Sequence, residues 1–233
     1  MSARAGSPAS SSPGAAARSK ARRPRGAVTR ERVLDAAVRC ILDVGYYQAS
    51  SNAIAREAGM TWGTIQHQFG TREALLLEVL EQAFATLDRH LETATVEGQN
   101  LDERLHSVLD LLDVYYGQPE HLAHIQILLD LSADPNTSKS TRRAIDAHSR
   151  TLTRAWRPFF VQAMGAAGQN AELVEYAFLT LRGYLTANLI PSRIRSVGRD
   201  PAIRDLLVHG VACAISERAR ALGLSVDPTS ASS

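Results

Sequence analysis

The stretch that most limits what this chain can fold into is residues 50–73, SSNAIAREAGMTWGTIQHQFGTRE. Ser50 stands where an N-cap would, ahead of a short helix whose inner side carries Ile54, Ala55 and Ala58. Gly59 follows, a residue free to turn left-handed where a helix ends. Thr61 then caps a second helix whose Ile65 and Phe69, four apart, share one face. The other side presents Thr64, Gln66, His67 and Gln68, donors and acceptors without a fixed charge. A helix with a small apolar foot and a hydrogen-bonding outer face suits a base-reading element in a DNA major groove. The same residues also describe a plain helical hairpin with a solvated outer face.

The flanking sequence is helical throughout. Thr29 to Val44 carries an apolar stripe, Val33, Leu34, Ala37, Val38, Ile41 and Leu42, opened by a Thr cap and closed by Gly45. Thr71 caps a longer helix from Arg72 to about residue 93, with Leu75, Leu76, Val79, Leu80, Phe84, Leu87 and Leu91 on its buried side. Asn100 and Glu103 have capping-box spacing for a helix through Tyr116, and Pro119 suits the first turn of the next, which runs to Leu131. A pattern from Ser138 to Met164 contains Pro158, which should kink it or end one segment. Asn170 caps a helix to Ile190, ended by Pro191, and residues 192–199 read as a basic, flexible loop. Asp200-Pro201 starts the last helix, running to Leu222. Without strand-like alternation or an internal repeat, the expected fold is all-α; the resemblance given below implies its parts, a three-helix helix-turn-helix DNA-binding head followed by a helical ligand-binding and dimerisation bundle. Expected boundaries are a disordered basic arm over 1–27, the head over 28–75, the bundle over 76–223, and a disordered tail over 224–233.

Charge is unevenly placed. The chain has a formal charge of +2 over 233 residues, yet residues 1–30 hold Arg4, Arg18, Lys20, Arg22, Arg23, Arg25 and Arg30 with no acid, leaving −5 for the rest. A basic arm rich in Ser, Ala, Pro and Gly favours a polyanion near that end, although a merely solubilising leader has the same composition. No apolar run approaches the roughly 20 residues of a membrane span, and no secretory h-region is present, so a cytoplasmic protein is expected. Cys40 and Cys213 lie inside helical patterns and read as small core residues rather than a disulfide or metal pair. The sequon-like Asn136-Thr137-Ser138 is discounted for want of any sign of secretion.

Residues 29–80 resemble the DNA-binding head of the tetracycline-repressor (TetR) family. The resemblance is carried by Gly45-Tyr46, Ile54-Ala55, Ala58-Gly59-Met60-Thr61, Gly63-Thr64-Ile65, Phe69 and Arg72-Glu73-Ala74-Leu75. Three residues depart from the family's pattern: Trp62, Gln66 and Gln68. The resemblance implies Ser50 and Asn52 near the DNA backbone, Thr61, Gly63, Thr64 and His67 in the groove, and Arg72 on a phosphate. Gln66 would read adenine bidentately, and Trp62 would lie against sugar or a thymine methyl unless it packs on the neighbouring helix. With Gln68 these make the candidate DNA-binding set.

The family resemblance also implies an effector site inside the helices from 101 to 190, where Tyr115, Tyr116, His121, His124, Gln126, Trp156, Phe159 and Phe160 occur. Tyr115, Tyr116, His121, Gln126, Trp156 and Phe159 are the candidate ligand contacts, against the plainer reading that they are core. His121 and His124 lack a convincing third metal ligand, so no metal and no cofactor are expected. Arg182 interrupts an apolar helix and would meet an anionic ligand, Glu175 of a second copy, or only the rim. Surplus apolar surface on 171–190 and 200–222 predicts a two-fold homodimer, whose heads would read a palindromic double-stranded operator. No nucleophile elbow, phosphate loop, zinc-protease motif or dinucleotide fingerprint appears, so an enzyme is not expected. The implied function is a transcriptional repressor released by a small-molecule effector; an activator of the same fold and a helical binding module without DNA are the alternatives.

Overall fold

The computed structural model describes residues 25–190 and 200–227; residues 1–24 of the expected 1–27 arm, the loop over 192–199 and the tail beyond 227 lie outside the described residues, while residues 25–27, expected in the arm, are helical. Within them the chain forms α1 (Arg25–Val44), α2 (Ser51–Glu57), α3 (Trp62–Phe69), α4 (Arg72–Leu91), α5 (Leu101–Tyr116), α6 (Glu120–Ala133), α7 (Lys139–Met164), α8 (Ala171–Ala187) and α9 (Pro201–Ala221), with no strand. A short 3-10 helix, Gly165–Gln169, links α7 to α8 and was not expected.

Most starts are set by one side chain accepting from a backbone N–H two or three residues on, as the sequence indicated. Ser50 accepts from Ala53, Thr61 from Thr64, Thr71 from Ala74, Asn100 from Glu103 and Asn170 from Leu173. At α5 the Glu103 carboxylate reaches back past the cap, accepting from the Gln99 N–H at 2.7 Å and from the Asn100 side-chain amide at 2.8 Å, a variant of the capping box. Three boundaries differ from expectation. Helix α1 begins at Arg25, so Thr29 lies within it rather than at its cap. Helix α7 runs unbroken through Pro158, which is exposed, so water can satisfy the carbonyl that proline leaves without a donor. Helix α8 stops at Ala187, three residues short of Ile190.

Two hydrophobic clusters organise the helices, and their border is not the sequence boundary at residue 75. The first joins the inner faces of α1, α2 and α3 to Leu75, Leu76, Val79 and Leu80 of α4, and also takes in Ala123, Ile127 and Leu131 of α6 and Ile145 of α7. The second is built by α5, the C-terminal half of α7, α8 and α9 around Trp156, Phe160 and Leu181. Helices α4 and α7 therefore belong to both clusters, one end of each against the head and the other in the body, whereas the buried apolar residues of α6 all fall in the first.

Polar links cross the same border. The Thr141 hydroxyl donates to a carboxylate oxygen of Glu73 at 2.8 Å, and Gln126 Oε1 accepts from the Tyr46 N–H at 3.1 Å.

Arg104 is buried without an acidic partner. It instead donates to three carbonyls, Ala163 at 2.7 Å, Gln99 at 3.2 Å and Val226 at 2.9 Å. Ser225 adds a carbonyl to the Ala167 N–H at 2.9 Å, while Leu224 and Val226 pack on the body cluster. Residues 224–227, expected to be disordered, are thus pinned. Cys213, expected in the core, is exposed; Cys40 is buried as expected.

Candidate nucleic-acid interface and body cavity

The turn between α2 and α3 is fixed from both sides. Gly59 has φ +68, and the Met60 N–H reaches back to the Ala55 carbonyl at 2.9 Å, which closes α2. Arg32 of α1 donates to the Ala58 carbonyl at 3.2 Å, tying that turn to the first helix. Ile65 is 0% exposed and Phe69 8% exposed, so α3 is seated by these two side chains. Arg30 stacks 4.5 Å above the Phe69 ring and pairs with Glu78 of α4, holding the far end of α3 against its neighbours.

On the opposite side Gly63, Thr64, Gln66 and His67 are exposed together, beside exposed Thr61 at the cap. Ser50 and Asn52 are exposed at the start of α2. Three other candidates are only partly exposed. Trp62 is half-buried and packs on the head cluster. Gln68 is half-buried with Oε1 enclosed. Arg72 turns inward: its Nε donates to the Ala49 carbonyl at 3.1 Å, Nη2 to the Tyr46 carbonyl at 2.8 Å, and its guanidinium lies 4.3 Å from the Tyr46 ring. It holds the α1–α2 connection, and the two donors so used do not face outward. This inward role left no signal in the sequence, because carbonyl partners carry no residue identity.

The body contains a cavity of about 550 Å³ between α5, α6, α7 and α8. Tyr115, Tyr116 and His121 line it, as expected, with Ile125, Leu128, His148, Leu152, Phe178 and Arg182. Trp156 and Phe159 are buried in the body core and do not line it, and Gln126 faces the head instead. Tyr116 has rings on several sides: Tyr115 at 5.0 Å, His121 at 4.9 Å and Phe178 at 5.9 Å between centroids. Burial pushes the Tyr116 phenol up to about 12, against an opposing pull from Arg182. Burial likewise lowers His121 to about 3, helped by His124 and Arg182, and His124 to about 4, helped by His148. Both imidazoles are therefore neutral at physiological pH. His121 Nδ1, His124 Nδ1 and His148 Nε2 are enclosed without a hydrogen-bond partner. Among the described residues no group of three or more His, Cys, Asp or Glu is placed to hold a metal ion.

A second cleft, about 410 Å³, lies between α1 of the head and α4, α5 and α6. Leu34, Val38 and Val79 form its apolar side, and Tyr115 and His121 line it as well as the body cavity. Two side chains thus partition the body cavity from the cleft that touches the first head helix. Sequence patterning could nominate Tyr115 and His121, but not that each has a cavity on both sides.

No described helix is long and apolar enough to cross a membrane. Residues 33–79 match the family model described as bacterial regulatory proteins, tetR family. Over 124 residues the chain is 29% identical to the HTH-type transcriptional regulator BetI of Agrobacterium fabrum, covering 53% of this chain and 59% of that protein. Over 129 residues it is 28% identical to the HTH-type transcriptional repressor AcnR of Corynebacterium efficiens, covering 55% and 62%. The chain therefore spans about three-fifths of the length of these curated relatives. In fold it is similar to the transcriptional regulator FadR from Bacillus subtilis in complex with stearoyl-CoA, with a TM-score of 0.57, 19% identity, and coverage of 78% of this chain and 97% of that one. The matched stretch, residues 33–79, coincides with the helices that seat and expose α3, and it is this head that is similar to the tetR family of bacterial regulatory proteins.

Proposed function

We propose that this chain is a sequence-specific DNA-binding transcriptional regulator, a repressor that leaves its operator when a small molecule fills the body cavity. One observation carries the reading: α3 buries Ile65 and Phe69 while Gly63, Thr64, Gln66 and His67 face outward. Thr64, Gln66 and His67 can exchange hydrogen bonds with base edges, and Gly63 allows close approach of the backbone. Gln66 is the residue assigned to adenine. Ser50, Asn52 and Thr61 flank that face and are assigned to the DNA backbone and groove edge.

Apolar side chains left exposed on the last two helices support a two-fold dimer: Tyr176 and Leu179 on α8, Ile203 and Leu206 on α9, with Leu206 72% exposed. Two heads so joined would meet half-sites one helical turn apart, about 34–36 Å, or a multiple of it. The effector would act through the Tyr115–His121 partition and α6, whose Gln126 binds the head, by favouring a head spacing that misfits the operator.

The test is selection of bound sequences from random duplex DNA with the full chain, followed by gel shifts on the selected site and a scrambled one. A palindromic site preferred over its scramble is the expected result. Equal affinity for both would overturn the proposal, as would failure to bind either.

A further inference from the structure

We propose that the body cavity takes a small carboxylic acid with an apolar body, its carboxylate meeting Arg182 and its apolar part lying among Ile125, Leu128 and Leu152. The inference deepens the effector-site reading above and rests on it.

The charge pattern comes first. Arg182 is the one Arg or Lys among the described residues lining the cavity, and no Asp or Glu lines it. Its guanidinium forms no ion pair among the described residues; it is steadied by ring faces, 5.2 Å from Phe178 and 5.8 Å from Tyr116. A half-buried cation without a counter-ion is left partly desolvated, and an anion brought beside it recovers that cost. A single fixed positive charge matches one negative charge, a carboxylate rather than a phosphate ester. A cationic ligand would find no acid here, and the Tyr116 and Phe178 ring faces are already taken by Arg182.

The donors come second and independently. His121, 5% exposed, and His148, half-buried, each line the cavity with an enclosed ring nitrogen that has no partner, and the buried Tyr116 hydroxyl lies beside Arg182. The Tyr116 hydroxyl can donate to a carboxylate oxygen, and neutral His121 and His148 can each supply one N–H. A volume of about 550 Å³ holds a compact drug-sized molecule, and Ile125, Leu128, Leu129 and Leu152 give it an aliphatic patch beside Ser149 and Thr153.

The experiment uses three probes with one apolar body: 4-butylbenzoate, 4-butylbenzamide and 4-butylbenzylamine. Binding to the full chain is measured calorimetrically, and release of the selected DNA site is measured in parallel. The benzoate should bind at least about tenfold more tightly than the amide or the amine. Arg182→Gln should remove that preference and Arg182→Lys should keep most of it. Thr186→Glu, one turn from Arg182 and also lining the cavity, should neutralise Arg182 in place and abolish benzoate binding without truncating it. A benzoate preference that survives both Arg182→Gln and Thr186→Glu would overturn the proposal. So would amide binding as tight as benzoate, or binding of none of the three. If the amide binds and releases DNA as well as the acid does, the effector reading stands and the carboxylate assignment falls. If the benzoate binds with the expected Arg182 dependence and leaves DNA affinity unchanged, the carboxylate assignment stands and the effector role falls.

Discussion

Gln126 Oε1 accepts a hydrogen bond from the backbone N–H of Tyr46 at 3.1 Å, joining α6 to the end of α1 across 80 positions of sequence. This bond is a direct polar contact between one of the helices that line the body cavity and the three-helix head. Gln126→Leu should lower stability by about 1 kcal/mol, the worth of one part-buried hydrogen bond. The same variant should raise the effector concentration needed to release DNA, with ligand affinity nearly unchanged. Urea unfolding and gel-shift titration check the two effects separately; coupling that does not change would remove Gln126 from the transmission route.

The two faces of α3 should separate in mutagenesis. Ile65→Ala opens a void at a 0% exposed position and should cost about 2–5 kcal/mol of stability. Gln66→Ala is exposed and should change stability by less than about 0.5 kcal/mol. It should instead weaken discrimination at one base pair by about 1–3 kcal/mol. A Gln66→Ala protein that kept its full preference for the selected site would withdraw the assignment to adenine.

Arg72 should behave as a structural residue. Arg72→Met removes charge-assisted bonds to the Ala49 and Tyr46 carbonyls and should destabilise the head by about 1.5–3 kcal/mol. The slope of log affinity against log salt should change by much less than the roughly 0.9 that accompanies one fewer neutralised phosphate. A slope shallower by a full unit, with stability intact, would put Arg72 on DNA after all.

Stability should depend on pH through the buried histidines. The unfolded chain titrates His121 and His124 near about 6.5, whereas the folded chain holds them at about 3 and about 4, chiefly by burial. Between these values the unfolded state binds more protons, so stability is full above about pH 6.5 and falls as pH drops towards 4. The fall can reach about 1.4 kcal/mol per pH unit for each histidine. His124→Phe should make the curve from pH 7 to 5 shallower; an identical curve in urea unfolding would contradict this account.

The basic arm gives a prediction that needs none of the described geometry. Residues 31–75 are nearly balanced in charge, while residues 2–24 hold Arg4, Arg18, Lys20, Arg22 and Arg23 without an acid. Deleting residues 2–24 should flatten the salt dependence of DNA binding by about 0.9 for each phosphate the arm neutralises. An unchanged slope would assign the arm no part in binding.

What could be read from sequence follows from range. Caps such as Ser50, Thr61, Thr71 and Asn100 act over three residues, so residue type and spacing alone located them. The Ile65–Phe69 foot was legible for the same reason. The inward turn of Arg72, the head-facing Gln126 and the three carbonyls around Arg104 were not, because each depends on a backbone group brought up from a distant segment. Aromatic residues around 115–160 were visible as a group. Which of them edge a void and which fill the core was decided by helix crossing, so Tyr116 meets the cavity while Trp156 and Phe159 do not.

The clasp made by Ser225 and Val226 on the 3-10 helix and on Arg104 has a practical side for anyone handling this protein. Trimming the polypeptide back to Gly223 would strip Arg104 of one of its three oxygens inside a closed environment and free the Ala167 amide at the same stroke. Affinity labels and fluorescent fusions should therefore be spliced on after Asp227, since a junction placed a few residues earlier would loosen the seam between α5 and α7 from the outside.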